Sequence, residues 1–292
     1  MPIQRVFVAG AGLMGHGIAQ VHAAIGKDVT LYEPELSRAQ AGKDRIAANL
    51  DRAVSKGRLE QGARDDTLGH IAATDDRTKV CDAELVIEAV FEDLDVKREL
   101  WRELDELAPE ATIFASNTSS ISIDTLAGAV SPGRKGRFAG MHFFSPVPVM
   151  PLVELVLGHA TTTETENAIR ELAAELGKEL IVSADRPGFL VNRILMPFLA
   201  EAMRAFEEGT GTIEDIDTGA RIGLNHPMGP FELADFIGLD VTLNVMRVQA
   251  EGLGAAYMAP PKVLVDLVEA GHLGQKTGKG FYTYPREPRP KR

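Results

Sequence analysis

Hydrophobic and polar positions along the 292-residue chain follow two rhythms in turn. Residues 3–9, IQRVFVA, form a short β-branched run that predicts a strand. GAGLMGHG follows, then IAQVHAAIG, a small-residue helix expected to end at Gly26. DVTLYE at 28–33 predicts a second strand, stopped by Pro34. Strand, turn, helix and strand in that order predict a parallel pair joined by its crossover. AELVIEAV at 83–90 is almost continuously apolar, the mark of a strand buried on both faces. DVKRELWRELDELA at 95–108 is an amphipathic helix closed by Pro109, and TIFASNTS and GRFAGMHFF predict further strands at 112–119 and 136–144. This alternation over residues 1–185 predicts a Rossmann-type, doubly wound α/β domain on a parallel sheet.

After DRPGF at 185–189 the strand-like runs stop. In PGFLVNRILMPFLAEAMRAFEEG, apolar residues recur at Leu190, Ile194, Phe198, Ala202 and Phe206, a step expected to mark one helix face. TIEDIDTGARIG, GPFELADFIGLDVTLNVMRVQAEG and PKVLVDLVEAG continue the helical texture, so residues 186–284 are expected to form an all-helical domain. The basic, Pro-rich tail at 285–292 is expected to be disordered.

Composition narrows the function. A net charge of −11 argues against nucleic acid as partner, and no apolar run reaches the length of a membrane span. The start goes directly into a strand with no leader, and the single cysteine, Cys81, fits a reducing compartment, so a cytoplasmic location is expected. Cys81 itself is expected to be a small core residue. The seven histidines are scattered without ligand spacing, and no metal site is assigned.

The chemistry begins at Gly10-Ala11-Gly12-Leu13-Met14-Gly15. This G-x-G-x-x-G follows a strand, opens a helix, and is followed by Glu33 at the end of the next strand, the context that makes it a dinucleotide fingerprint. Gly10 permits the tight turn, Gly12 lets the backbone approach a pyrophosphate, and Gly15 lets helix and strand pack closely. Glu33 would accept the ribose hydroxyls and repel a 2′-phosphate, which favours NAD over NADP. FAD shares the fingerprint and carries less weight. Residues 38–58 add Arg38, Lys43, Arg45, Arg52, Lys56 and Arg58 against Asp44 and Asp51. A solvated helix face explains such a run, and so does a docking surface for a polyanion such as coenzyme A. Farther on, polar residues interrupt apolar runs: Asn117 and Ser119 at the end of TIFAS, His142 at the end of GRFAGM, Glu154 within PLVELVLG, and Asn192. A buried carboxylate needs a partner, and an imidazole would serve Glu154. A His–Glu pair beside a nicotinamide suits alcohol oxidation: the base takes the hydroxyl proton as hydride leaves carbon.

Taken together, GAGLMGHGIAQ, VIEAVFEDLDVK, SNTSSI, HFFSPVPVMPLVE, PGFLVNRIL, NHPMGPFELADFIGLDV and KTGKGFY resemble, in order, the landmarks of the L-3-hydroxyacyl-CoA dehydrogenase family, close to its bacterial 3-hydroxybutyryl-CoA members. The resemblance implies that His142 is the base and that Glu154 orients it. It implies that Ser119 and Asn192 hydrogen-bond the substrate's hydroxyl and thioester carbonyl. Gly10, Gly12, Leu13, Met14, Gly15, Glu33, Glu92, Lys97, Asn117 and Lys276 would lie along NAD, and Asn49 and Lys56 would contact coenzyme A. It further implies an acyl-CoA substrate and a homodimer formed through the helical domain. Ser145 stands where many family members carry asparagine. A dehydrogenase of a free 3-hydroxy acid, of the gulonate or carnitine type, and a non-catalytic NAD-binding crystallin are the alternative readings.

Overall fold

The computed structural model describes residues 3–254 and 256–286. It divides into two compact units, one ending at Phe189 and the other beginning at Leu190. The expected boundary after residue 185 falls in the connection between them.

The first unit runs β1 Arg5–Ala9, α1 Leu13–Ala23, β2 Asp28–Tyr32, α2 Leu36–Ser55, α3 Gln61–Gly69, β3 Ile71–Thr74, β4 Leu85–Glu88, α4 Leu94–Leu107, β5 Ile113–Ser116, α5 Ile123–Ala127, β6 Phe138–Phe143, β7 Leu152–Leu157, α6 Thr163–Glu175 and β8 Glu179–Ala184. The described strands form one sheet in the order β3-β2-β1-β4-β5-β6-β7-β8. Every neighbouring pair is parallel except β6 with β7. Strand order reverses between β1 and β4, so the crevice at the carboxyl ends of these strands is where an open α/β sheet takes its ligand.

Alternation along each strand sorts side chains into two layers. Val6, Val8, Leu85, Ile87, Ala115, Met141 and Leu155 share one apolar layer with Ile18 of α1, Ile46 of α2 and Ile169 of α6. Phe7, Val86, Phe114, Phe138 and Val156 share the other with Trp101 of α4 and Leu126 of α5. Both faces are covered, which is why β4 reads as an unbroken apolar run. Asp93 caps α4 by accepting the N–H groups of Asp95 and Val96. At the other end of α4, buried Arg134 donates to Asp105 and to the carbonyls of Ala108, Pro109, Glu110 and Thr112, and it lies 4.5 Å over the Phe114 ring. The guanidinium thereby gathers four backbone carbonyls of the connection between α4 and β5 onto one side chain.

His22 of α1 is fully buried, edge-on to Phe143, with Nδ1 on the Ile18 carbonyl and Nε2 without a partner among the described residues. Burial lowers its pKa from 6.5 to about 4. An unfolded chain therefore binds this proton first. The stability is intact above the unfolded pKa and is lost as pH falls toward the folded one, by at most roughly 3 kcal/mol. Thermal midpoints should drop between about pH 7 and pH 5, and His22→Phe should flatten that slope. An unchanged slope would contradict the assignment.

The second unit runs α7 Val191–Glu207, α8 Ile213–Thr218, α9 Pro230–Ile237, α10 Leu239–Leu253 and α11 Lys262–Glu269. The long helical stretch expected over 229–252 breaks at Gly238, whose φ of +104° an L side chain would strain to adopt. Two buried aspartates organise its far end. Asp217 accepts from the N–H groups of Phe231 and Glu232 at the start of α9 and from the Tyr282 hydroxyl. Asp235 accepts from the N–H groups of Phe281 and Tyr282 and from the Tyr284 hydroxyl. These bonds hold the KTGKGFY segment. Residues 287–292 of the expected disordered tail lie outside the described residues.

Two expectations are corrected. The buried face of α7 is Met196, Leu199, Ala200 and Met203, while Ile194 is 66% exposed. A strict four-residue step drifts by about 40° each time, so it leaves any single stripe, whereas i, i+3, i+4, i+7 stays on it. Cys81 is exposed, in a 3-10 turn at Arg77–Asp82 ahead of β4, where Val80 is the buried residue.

Candidate active site

The antiparallel pairing of β6 and β7 creates the central feature. In its register His142 stands directly opposite Glu154. Alternation places both on the same face as Phe138 and Val156, and directly opposed antiparallel residues bring their side chains within reach. The His142 Nδ1 lies 3.0 Å from Glu154 Oε2. Glu154 is fully buried and His142 nearly so. The carboxylate accepts a hydrogen bond from Nδ1–H, which fixes the tautomer and leaves Nε2 as the basic nitrogen. The Phe144 ring, 4.5 Å away between centroids, and the Phe189 ring, at 6.1 Å, flank the imidazole. Lys178 donates to the carbonyls of Val147 and Met150, at 2.7 and 2.6 Å, and so pins the segment that follows the histidine.

The glycine turn lies at the carboxyl end of β1. A Cβ on Gly10, whose φ is +103°, would stand 2.5 Å from the Ala89 carbonyl oxygen, and one on Gly15 would stand 1.7 Å from that of Gly10. Gly12 differs: nothing lies within 4 Å of its would-be Cβ. No protein neighbour requires glycine there, and open space over the backbone is what a pyrophosphate needs. Leu13 projects outward, Met14 packs against the core beside α1, and the Ala11 N–H donates to Glu33 Oε1 at 2.6 Å. Glu33 is thus held at the mouth of the turn, where a ribose would sit. The residues present fit a dinucleotide.

Between turn and dyad lies a network of which the sequence reading saw only part. Glu92 Oε1 accepts from the Ser119 N–H at 3.0 Å, and Lys97 Nζ lies 3.1 Å from Glu92 Oε2 and 2.5 Å from Glu88 Oε1. Burial pushes the Glu92 carboxyl up, but Lys97 and the hydroxyls of Thr118 and Ser120 outweigh it and hold it below the usual range. Asn117 Oδ1 accepts the Phe143 N–H at 2.9 Å and ties the Ser119 segment to the strand of His142. Glu88 and Ser116 were missed. The available signal was a carboxylate closing an otherwise apolar strand, nine residues before a lysine.

Other expected positions are placed as follows. Asn49 is half-buried in the last turns of α2, and Lys56 is exposed at its end. Within the basic segment, Arg38 pairs with Glu35, Lys43 donates to the Ile71 carbonyl, and Arg45 donates to the Ala11 carbonyl. Arg52 and Arg58 are exposed near Lys56 in sequence. Asn192 lies in the first turn of α7, in the second unit. Lys276, also in the second unit, is paired with Asp240 at 2.6 Å. Ser145 is exposed.

A dinucleotide turn and a buried imidazole–carboxylate pair on one doubly wound sheet define the equipment of a nicotinamide-dependent alcohol dehydrogenase. The chain belongs to the 3-hydroxyacyl-CoA dehydrogenase family: residues 5–186 match its NAD binding domain and residues 188–284 its C-terminal domain. It is 47% identical to a 3-hydroxybutyryl-CoA dehydrogenase of Bradyrhizobium diazoefficiens, over 97% of this chain and 96% of that one. It is 42% identical to the mitochondrial hydroxyacyl-coenzyme A dehydrogenase of Homo sapiens, over 97% of this chain and 91% of that one. The crystal structure of (S)-3-hydroxybutyryl-CoA dehydrogenase from Ralstonia eutropha superposes with a TM-score of 0.94 at 42% identity, covering 97% of this chain and all of that one.

Proposed function

We propose that this chain oxidises a short-chain (S)-3-hydroxyacyl-CoA, such as 3-hydroxybutyryl-CoA, to the 3-ketoacyl-CoA, reversibly and with NAD. The observation that carries the reading is the register-imposed pairing of His142 with Glu154. The family and its named relatives favour a coenzyme A thioester over a free hydroxy acid, and a catalyst over a non-catalytic crystallin.

The turn at Gly10, Gly12, Leu13, Met14 and Gly15 would hold the pyrophosphate, Glu33 the ribose, and Glu92, Lys97 and Asn117 the nicotinamide side. Bound NAD supplies the oxidant, taking the hydrogen and electron pair that leave the alcohol carbon. His142 Nε2 takes the hydroxyl proton. Glu154 keeps its hold on Nδ1 and stabilises the imidazolium. Ser119 directs the hydroxyl toward Nε2. In the reverse direction the imidazolium returns the proton to the oxygen. The proposal also gives Asn192 a hydrogen bond to substrate, Lys276 a place along NAD, and Asn49 and Lys56 contacts to coenzyme A. For Lys56, exposure at the basic end of α2 supports the reading. A homodimer through the helical unit is proposed as well, supported by Ile194, Phe236 and Val241 exposed on its surface. A cytoplasmic location accords with the single cysteine, and among the described residues no helix is long and apolar enough to cross a membrane.

Oxidation of (S)-3-hydroxybutyryl-CoA with NAD, run beside NADP, tests the assignment. The expected kcat/KM is at least about 100-fold higher with NAD, since Glu33 meets a 2′-phosphate with like charge. No reduction of NAD would sink the reading, and equal use of NADP would remove Glu33 from it.

A further inference from the structure

Glu88 closes β4, and its register partner is Ser116, the last residue of β5. Both are fully buried. Alternation turns the two side chains to the same face, and the Ser116 hydroxyl donates to Glu88 Oε2 at 2.6 Å. Glu88 Oε1 accepts from Lys97 Nζ and, at 2.9 Å, from the Val90 N–H. Lys97 reaches on to Glu92, and Glu92 Oε1 gathers the following loop. It accepts from the Thr118 hydroxyl at 2.5 Å, the Ser119 N–H at 3.0 Å, the Ser120 N–H at 3.1 Å and the Ser120 hydroxyl at 2.8 Å. Ser116 Oγ also accepts the Thr118 N–H at 3.2 Å. The Asn117 N–H donates to the Glu88 carbonyl at 2.8 Å. Residues 116–120 are therefore tied, one after another, to a single network whose deepest member is Glu88.

Stability alone does not account for this arrangement. Glu88 and Lys97 form an ion pair in a dry interior, with the second carboxylate, Glu92, a third exposed at its edge, and apolar side chains of similar volume in place of the buried pair would fill the same space at no desolvation cost. What an apolar filling cannot do is direct a series of N–H groups and hydroxyls to fixed places. Positional errors on the order of 1 Å are enough to impair catalysis.

We propose that Glu88 is a positioning residue. Through Ser116 on one side, and through Lys97 and Glu92 on the other, it sets where Ser119 stands relative to His142 Nε2. The proposal rests on the reading of Ser119 as the partner of the substrate hydroxyl. It assigns Glu88 no contact with substrate or cofactor.

A double-mutant cycle on the full chain tests it, with acetoacetyl-CoA reduction at saturating NADH as the readout. Glu88→Gln should lower kcat by about tenfold to 100-fold, with the thioester KM changed less than about threefold. In the Ser119→Ala background the same change should cost no more than about twofold, because the group it positions is already gone. NADH affinity, from fluorescence titration, should stay within about threefold of wild type. Effects that multiply in the double variant would show that Glu88 does not act through Ser119, and would overturn the proposal. If Glu88→Gln does not fold, Ser116→Ala removes one hydroxyl of the same network. A loss of kcat with it that vanishes in the Ser119→Ala background supports the proposal, and wild-type kcat overturns it. A wild-type chain inactive on the thioester would instead retire the functional reading, and this proposal with it.

Discussion

With glutamine in place of His142, kcat for acetoacetyl-CoA reduction is expected to fall by about 1000-fold while NADH affinity stays within about threefold of wild type. The argument is one of proton inventory. Glutamine preserves volume and a hydrogen bond to Glu154 but carries no nitrogen that gains or releases a proton near neutral pH. The glycine turn and Glu33, proposed to hold the dinucleotide, have no hydrogen bond or ring contact with His142, so binding and turnover should separate. Glu154→Gln should lose less, because the imidazole keeps its position and loses only the charge that stabilises its protonated form. Steady-state rates beside fluorescence titration of NADH read both quantities. Wild-type turnover in the glutamine variant would remove His142 from the chemistry.

The second large effect is on stability. Lys97→Met is expected to destabilise the first unit by about 3–5 kcal/mol, the cost of leaving a buried carboxylate without its counter-ion. Glu88 is the carboxylate at stake: burial already raises its pKa, with Lys97 opposing. Remove the ammonium and the raised pKa climbs further. A carboxyl whose folded pKa lies above its unfolded value favours the folded state at low pH. That advantage is lost as pH rises through the folded pKa. The variant's thermal midpoint should therefore trail wild type more at about pH 8 than at about pH 5. A gap that narrows with rising pH would show that Glu88 is not the uncompensated charge.

Much of this was legible in the sequence, and the parts that were not share a physical cause. The fingerprint turn is local: Gly10, Gly12 and Gly15 sit within six residues, and the strand before and helix after them are read from periodicity. The dyad was legible as residue types, a histidine and a carboxylate in apolar surroundings, but not as a pair. Twelve residues of separation say nothing about contact until β7 is known to return antiparallel against β6. Glu88 was hidden because a strand buried on both faces tolerates one charge when a partner arrives from elsewhere, here Lys97 of α4. The basic segment left two readings open in the sequence, and spacing could not show that Lys43 and Arg45 donate to backbone carbonyls of their own unit. The face of α7 follows the i, i+3, i+4, i+7 spacing of Met196, Leu199, Ala200 and Met203 rather than a four-residue step, and the exposure of Cys81 depends on a 3-10 turn that the apolar run of β4 does not announce.

The most direct measurement of the central claim is the initial rate of NADH consumption with acetoacetyl-CoA, beside the same assay with free acetoacetate. Fast turnover of the thioester with little or none of the free acid is the predicted result, and it would place the His142–Glu154 pair in acyl-CoA chemistry. Equal or faster turnover of the free acid, or none of either by a chain that binds NADH, would contradict the account.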